Sequence, residues 1–187
     1  YHHLTLEGAG RVSNESRNFF TKEVNYYLNH FNNFPSVLIY SIFNEAWGEF
    51  NPNYFYEYCK KHDSLHLFDT ASGWLDGPSD FFRVHTFSFP NLKRIDKQKR
   101  PYIITEVGSI GLKLYEHACF DGMFAHRSAE NLEAFTDKIE YLYRRQLIPQ
   151  IKKRGLNMII YTQLNDCESE YNGLYTFDRK VLKVEKK

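Results

Sequence analysis

Two glutamates, Glu45 and Glu106, stand where short apolar runs of the chain give out. Val37-Leu38-Ile39-Tyr40-Ser41-Ile42-Phe43 leads into Asn44-Glu45, and Tyr102-Ile103-Ile104-Thr105 leads into Glu106-Val107-Gly108. Parallel α/β barrels build their active sites at the C-terminal ends of the strands, so a carboxylate delivered there is a candidate catalytic group. Two such groups are what cleavage of a glycosidic bond with retention needs. One carboxyl is protonated at rest and donates to the leaving oxygen, and the other is ionised and attacks the anomeric carbon, roughly 5–5.5 Å away. Asn44 adds an amide able to bind a sugar hydroxyl. A lone strand-end glutamate is more often a cap or an ion-pair partner, so the expectation rests on the pair.

The elements that would position these groups follow from periodicity. Between Phe19 and Phe31, the residues Phe20, Val24, Tyr27, Leu28 and Phe31 recur at helical spacing, and Phe34-Pro35 stops the helix. Val37 to Phe43 is almost continuously apolar, which predicts a parallel strand buried on both faces. A short helix is expected from Asn53 to His62. His66–Thr70, Phe82–Phe87, Tyr102–Thr105 and Met158–Leu164 complete five predicted strands. Ala129 to Arg154 reads as one long amphipathic helix, with Pro149 a kink and Gly155 a C-terminal cap. The stretch from Gly108 to Ser128 has no period and reads as a long loop leaving the Glu106 strand, a place where substrate sites are often shaped. Strand and helix alternate, which argues for a parallel sheet in one domain or part of one.

Composition narrows the partners. The 187 residues are 42% hydrophobic and 25% charged, so the chain can bury a substantial core. Lys plus Arg number 24 against 23 Asp plus Glu, leaving nothing to attract nucleic acid or an anionic membrane as a bulk effect. Aromatic residues make up 17% of the chain, enough both for core packing and for stacking on sugar faces. Cys59, Cys119 and Cys167 are widely spaced and odd in number, which signals neither a disulfide framework nor a zinc site; reduced thiols and a cytoplasmic location are the expectation. The eight histidines have no metal-ligand spacing. No run is apolar for long enough to predict a membrane-spanning helix, and Tyr1-His2-His3-Leu4 has no signal-peptide pattern. The chain does not begin with Met, consistent with a piece of a longer protein.

These motifs resemble glycoside hydrolase family 2, which includes β-galactosidases, β-glucuronidases and β-mannosidases. Phe34-Pro35-Ser36-Val37 through Phe43-Asn44-Glu45-Ala46-Trp47-Gly48 is similar to that family's fourth strand segment, which ends in the Asn-Glu of the general acid/base. Asp69-Thr70-Ala71-Ser72-Gly73-Trp74 and Val84-His85-Thr86-Phe87 resemble the next two strands, and Arg100-Pro101 through Glu106-Val107-Gly108 the seventh, which carries the nucleophile. Tyr161-Thr162-Gln163-Leu164-Asn165-Asp166 through Tyr175-Thr176-Phe177-Asp178-Arg179 closely resembles the eighth and the exit from the barrel. The resemblance implies an incomplete parallel (β/α)8 TIM barrel with strands 4 to 8 present, and a retaining, β-galactosidase-like enzyme acting on terminal β-glycosides. Glu45 is then the acid/base, Glu106 the nucleophile and Asn44 a binder of the 2-hydroxyl, with no metal or cofactor. The expected partner is a carbohydrate, together with another copy of the chain or the missing N-terminal part of the enzyme.

Other residues carry two readings. His85 ends a strand and is expected either at the substrate or in a structural hydrogen bond. Trp47 and Trp74 form a sugar-stacking wall or pack beneath loops. Asp166, Glu168 and Glu170 bind hydroxyls or cap Asn172-Gly173. Lys113 pairs with a uronate carboxylate or is solvated. The chain departs from the family where Val107-Gly108-Ser109 replaces an aromatic-Gly-Gly, and where Phe87 stands for a Tyr whose hydroxyl supports the nucleophile. These departures frame the rival expectation, a catalytically inactive barrel fragment that binds carbohydrate.

Overall fold

Ser13 opens the fold. Its hydroxyl accepts from the backbone N–H of Ser16 at 3.1 Å and caps helix α1 (Asn14–Phe31). Glu15 in the first turn and His30 in the last complement the helix dipole. The helix starts five residues before the expected Phe19, because residues 14–18 are largely polar and only the cap announces them. In this computed structural model, residues 13–45, 48–73, 77–87 and 96–185 are described. The chain divides into two units, Tyr1–Val84 and His85–Lys187.

In the first unit, strand β1 (Ile39–Ser41) pairs in parallel with β2 (Leu67–Asp69), with Ile39 opposite Leu67 and Ser41 opposite Asp69. Helix α2 (Pro52–His62) connects them and has Pro52 in its first turn, where the missing N–H costs nothing. Phe20, Val24 and Leu28, four residues apart, meet Phe43, Phe55, Cys59 and Phe68 in one apolar core. Burial, followed by the nearby Asp63, pushes the Cys59 thiol up to about 11, so it packs as a small hydrophobe. The expectation of a strand buried on both faces is corrected here. Phe43 is buried, but Leu38 is 67% exposed and Ser41 is exposed.

The strand β3 (Phe82–Thr86) crosses from the first unit into the second. The second unit continues with β4 (Tyr102–Gly108), β5 (Ile110–Gly111), β6 (Arg127–Ser128), α3 (Leu132–Tyr141), α4 (Ile148–Arg154) and β7 (Leu156–Thr162). Its main sheet runs in the order β3–β4–β7, β4 and β7 being parallel, and β5 pairs in parallel with β6. The last two strands were not foreseen: they lie in the stretch read as loop, and two-residue strands are too short to show a period. The single helix expected over 129–154 is divided by a π-helical turn, Leu142–Leu147, just before Pro149. The wider turn takes up the place where proline has no N–H to give. Gly155 ends α4 in the left-handed conformation, φ 68°, as a C-terminal cap.

The architecture is mixed α/β with parallel strands, and no closed barrel forms among the described residues. No described helix is long and apolar enough to cross a membrane.

Candidate active site

In the first unit the β1 ladder continues past the strand as single bonds. Ile42 N–H donates to Asp69 O at 2.8 Å, Ser72 N–H to Phe43 O at 3.1 Å, and Glu45 N–H to Ser72 O at 2.6 Å. Asn44 lies opposite Ser72 in a parallel bridge. Glu45 itself is half-buried with φ 51°, a left-handed conformation that costs a non-glycine residue about 1–3 kcal/mol and persists where its surroundings hold it. The segment that leads to it is packed by rings. Phe43, two residues earlier, stacks on Phe20 with centroids 5.0 Å apart and meets Phe55 edge-on at 5.5 Å. Behind the strands, Arg83 Nε pairs with the fully buried Asp69 Oδ1 at 2.8 Å, and Arg83 Nη2 donates to Ala71 O at 2.8 Å. Beside this pair, burial raises the pKa of Glu49 above the ordinary carboxylate range, with Arg83 opposing and Asp69 reinforcing the shift. Sequence reasoning did not single out Glu49, which follows no strand.

In the second unit Glu106 lies within β4 rather than beyond its end. Ile104 is opposite Ile159 and Val107 opposite Tyr161, so three steps along β4 match two along β7. The extra residue falls at Thr105–Glu106 and makes a bulge, a device that re-aims side chains next to active sites. A compensating shift lies one turn of the ladder earlier, where the Asn157 side chain accepts from Tyr102 N–H at 2.9 Å in place of a backbone partner. The Glu106 side chain is 27% exposed, and its Oε1 lies 3.8 Å from Nε2 of the buried His85. That is longer than a hydrogen bond but close enough for charge coupling when the imidazole is protonated.

Gly108, two residues on, has φ 115°, and a Cβ there would run into the Tyr161 ring. The close approach of Tyr161 therefore requires the glycine that Val107-Gly108-Ser109 shares with the aromatic-Gly-Gly pattern, and it leaves the changes at Val107 and Ser109 without a structural explanation. Ser109 N–H donates to Thr162 O at 3.1 Å, and its Oγ accepts from Asn172 Nδ2 at 3.4 Å. Gln163 Nε2 donates to Asn172 Oδ1 at 2.8 Å, tying the turn after β7 to the strand that carries Glu106.

Asp166 is 1% exposed and belongs to that internal framework. Its Oδ1 accepts from Lys183 Nζ at 2.7 Å and from Gly173 N–H at 2.9 Å. Lys183, wholly buried, also donates to Leu112 O and Tyr171 O. Burial pushes the two groups in opposite directions, Asp166 up and Lys183 down, while the contact between them favours both charges. With its carboxylate engaged inside the unit, Asp166 is positioned as a structural residue rather than one facing a sugar. Glu168 is exposed at a turn with φ 51°, and its carbonyl accepts from Cys119 Sγ at 3.4 Å. Lys113 Nζ donates to Phe120 O at 2.6 Å and lies over the Tyr171 ring, so its charge is spent closing its own loop.

The structure thus brings together His85 and Glu106, places Asn44 and Glu45 at one ladder end in the first unit, and buries Asp166. Trp47 and Trp74 lie outside the described residues. Two aromatic residues that sequence reasoning passed over, Phe124 and His126, lie with Phe87 near His85. No signal marks them, since the stretch that holds them has no period.

No protein-family model matches the sequence, and no curated protein matches it. Solved structures match the fold. A β-glucuronidase of an uncultured Clostridium sp. aligns with TM-score 0.59 at 15% identity, over 91% of this chain and 35% of that one. An FMN-binding β-glucuronidase of Faecalibacterium prausnitzii L2-6 gives 0.63 at 16%, over 93% and 31%. A Ruminococcus gnavus β-glucuronidase gives 0.56 at 16%, over 88% and 33%. The likeness is one of fold, and this chain spans about a third of the length of the glycosidase chains it is similar to.

Proposed function

We propose that this chain is the catalytic portion of a retaining β-glycosidase of the glycoside hydrolase family 2 type, its strands being the fourth to eighth of a (β/α)8 barrel. The observation that carries this reading is Glu106 on a bulge of a parallel strand beside His85, in a chain whose fold matches glycosidase structures. In this reading Glu106 attacks the anomeric carbon and forms a glycosyl ester, while Glu45 gives its proton to the leaving oxygen. Water then attacks the ester with Glu45 as base. The negative charge of Glu106 holds the proton on Glu45 in the resting state, and esterification removes that charge and frees Glu45 to accept. Asn44 binds the 2-hydroxyl. The chemistry draws on no metal or cofactor, and requires the two carboxyl groups to approach to roughly 5–5.5 Å.

The names of the matching structures put a β-glucuronide first among candidate substrates, and the motif resemblance keeps a β-galactoside beside it. The same reading gives the chain a macromolecular partner, the remainder of the barrel or a second copy. Leu38, Ile160 and Leu164, on or beside strands, are 67%, 46% and 66% exposed, a cost that a covering surface removes. A second reading, carbohydrate binding without turnover, is favoured by one feature. Phe87 has no hydroxyl to support the nucleophile and spends its face on His126.

Release of nitrophenol from aryl β-glucuronide, β-galactoside, β-mannoside and β-glucoside, by this chain and by its Glu106→Gln variant, tests the proposal. Turnover of one sugar that is lost in the variant supports the enzyme. Sugar binding with no turnover supports the second reading.

A further inference from the structure

The helical run from α3 through the π-helical turn to α4 has two unlike sides. Its inner side is closed, with Leu142 and Leu147 fully buried and five residues apart across the wider turn. The exposed positions recur every three or four residues, at 141, 144, 145, 148, 151 and 152, so they share the outer side. Arg144 and Arg145 stand there in the middle of the run, and Lys152, Lys153 and Arg154 are exposed at its end. Glu140 pairs with Arg144 at 2.8 Å, and no acidic residue follows until Asp166. Arg145 and the three cations of α4 have no ion pair among the described residues. Between the two basic groups lie Ile148 and Ile151, 41% and 48% exposed, with Tyr141 57% exposed one turn before them.

Cations in the last turn of a helix complement its dipole, which accounts for Lys152, Lys153 and Arg154. It leaves the two arginines and the exposed isoleucines without a reason. The net charge of the whole chain, +1, hides this concentration. A face that is basic at both ends and apolar between them fits a surface that is negative outside and apolar a few ångströms beneath. We propose that this face docks on an anionic lipid bilayer. Ile148 and Ile151 enter the boundary between headgroups and acyl chains, and Tyr141 sits at headgroup level. The long stems of the lysines and arginines lie beside the isoleucines and carry their charges out to the lipid phosphates and carboxylates. Leu142 and Leu147 keep the run fixed to its own unit, so only the outer face enters the lipid. A nucleic acid would use the same cations but would leave the isoleucines in water.

The test is co-sedimentation of the chain with vesicles of phosphatidylcholine alone and of phosphatidylcholine with phosphatidylserine, at low and at high salt. The variants are Lys152→Gln with Lys153→Gln and Ile148→Ser with Ile151→Ser, with thermal melts to confirm folding and a DNA duplex as a soluble polyanion. The wild type should bind only the vesicles that contain phosphatidylserine, and should lose most of that binding at high salt. Each basic residue near an anionic bilayer strengthens binding about fivefold, from about 1 kcal/mol at 1.4 kcal/mol per decade, so the lysine variant should bind about 25-fold more weakly. The isoleucine variant should bind roughly tenfold more weakly. No binding to the phosphatidylserine vesicles, equal binding to both kinds of vesicle, or undiminished binding by either variant overturns the proposal. Binding to the DNA duplex but not to vesicles, unchanged in the isoleucine variant, assigns the face to polyanions and overturns it too. Should a variant fail to fold, the wild type's dependence on phosphatidylserine and on salt decides.

Discussion

The two strand segments that carry Glu45 and Glu106 are held by opposite means. Glu45 follows a three-residue strand and takes a left-handed backbone, steadied by a ring cluster of Phe20, Phe43, Phe50 and Phe55. Glu106 sits inside a seven-residue strand on a bulge, steadied by a polar framework in which Ser109, Asn172, Gln163, Asp166 and Lys183 fasten the turn after β7. Aromatic packing is non-directional and tolerates small shifts, whereas a buried hydrogen-bonded framework fixes one geometry and is costly when half-broken. The contrast fits the proposed chemistry, in which the nucleophile must meet a carbon in line and the acid/base need only reach an oxygen through a proton.

The largest effect expected is catalytic, and it separates the two carboxylates. Glu106→Gln should lower kcat/KM for every aryl glycoside by on the order of 10⁴-fold or more, since no nucleophile remains. Glu45→Gln should lose about 10²–10⁴-fold for leaving groups that need a proton, and much less for a dinitrophenyl glycoside, whose phenolate departs unaided. Equal losses on both substrates in Glu45→Gln would break the assignment of the two ends to different tasks.

Next comes the manner of anchoring. Lys183→Met leaves the Asp166 carboxylate buried without its counter-charge and should destabilise the protein by about 3–5 kcal/mol in urea unfolding. Adding Asp166→Leu should return much of that loss, because the buried pair costs desolvation that an apolar pair does not. Phe55→Ala, at the centre of the ring cluster, should cost about 3–5 kcal/mol as a cavity, with no second-site rescue of this kind. Rescue in neither case would say that the two units are held alike. Smaller again, Gly108→Ala brings a methyl group against Tyr161 at a φ that L-residues avoid, and should cost about 1–3 kcal/mol while lowering kcat through the displaced strand.

How much of this could be read in the chain itself differs along the same line. The apolar runs before Asn44-Glu45 and Glu106 were legible, as were α1, α2 and the glycine that ends α4, since each is written in neighbouring residues. The bulge under Glu106 was not, because it depends on the register against β7, some fifty residues away. The burial of Asp166 was hidden for the same reason: its partner Lys183 stands beyond the last strand, in a segment with no period to draw notice. The exposed face of Leu38 was missed because an apolar run predicts two covered faces whether or not the cover is in the sequence at hand. Contacts between distant segments, not local propensities, separate what was foreseen from what was found.

The finest test of the contrast is acid titration, where one carboxylate in each unit should act with opposite sign. In the second unit the Arg100 guanidinium grips Asp96 in a fork, Nε to Oδ2 at 3.1 Å and Nη2 to Oδ1 at 3.0 Å, and this hydrogen bonding holds the carboxyl down to about 2. A folded-state value below the unfolded value of about 3.9 means that the stabilisation is complete above pH 4 and is lost as pH falls toward 2. In the first unit burial raises Glu49, so the folded state holds its proton more tightly than the unfolded chain, whose value is about 4.3. Stability from that group is present below pH 4 and declines as pH rises through the folded value. Asp96→Asn should therefore flatten the acid limb of a stability–pH curve, by about 1 kcal/mol for this half-buried pair once solvent screening is allowed for. Glu49→Gln should instead raise stability at neutral pH and leave the acid limb unchanged. If both substitutions moved the curve in the same direction, the burial assigned to Glu49 and the cationic grip assigned to Asp96 could not both be right.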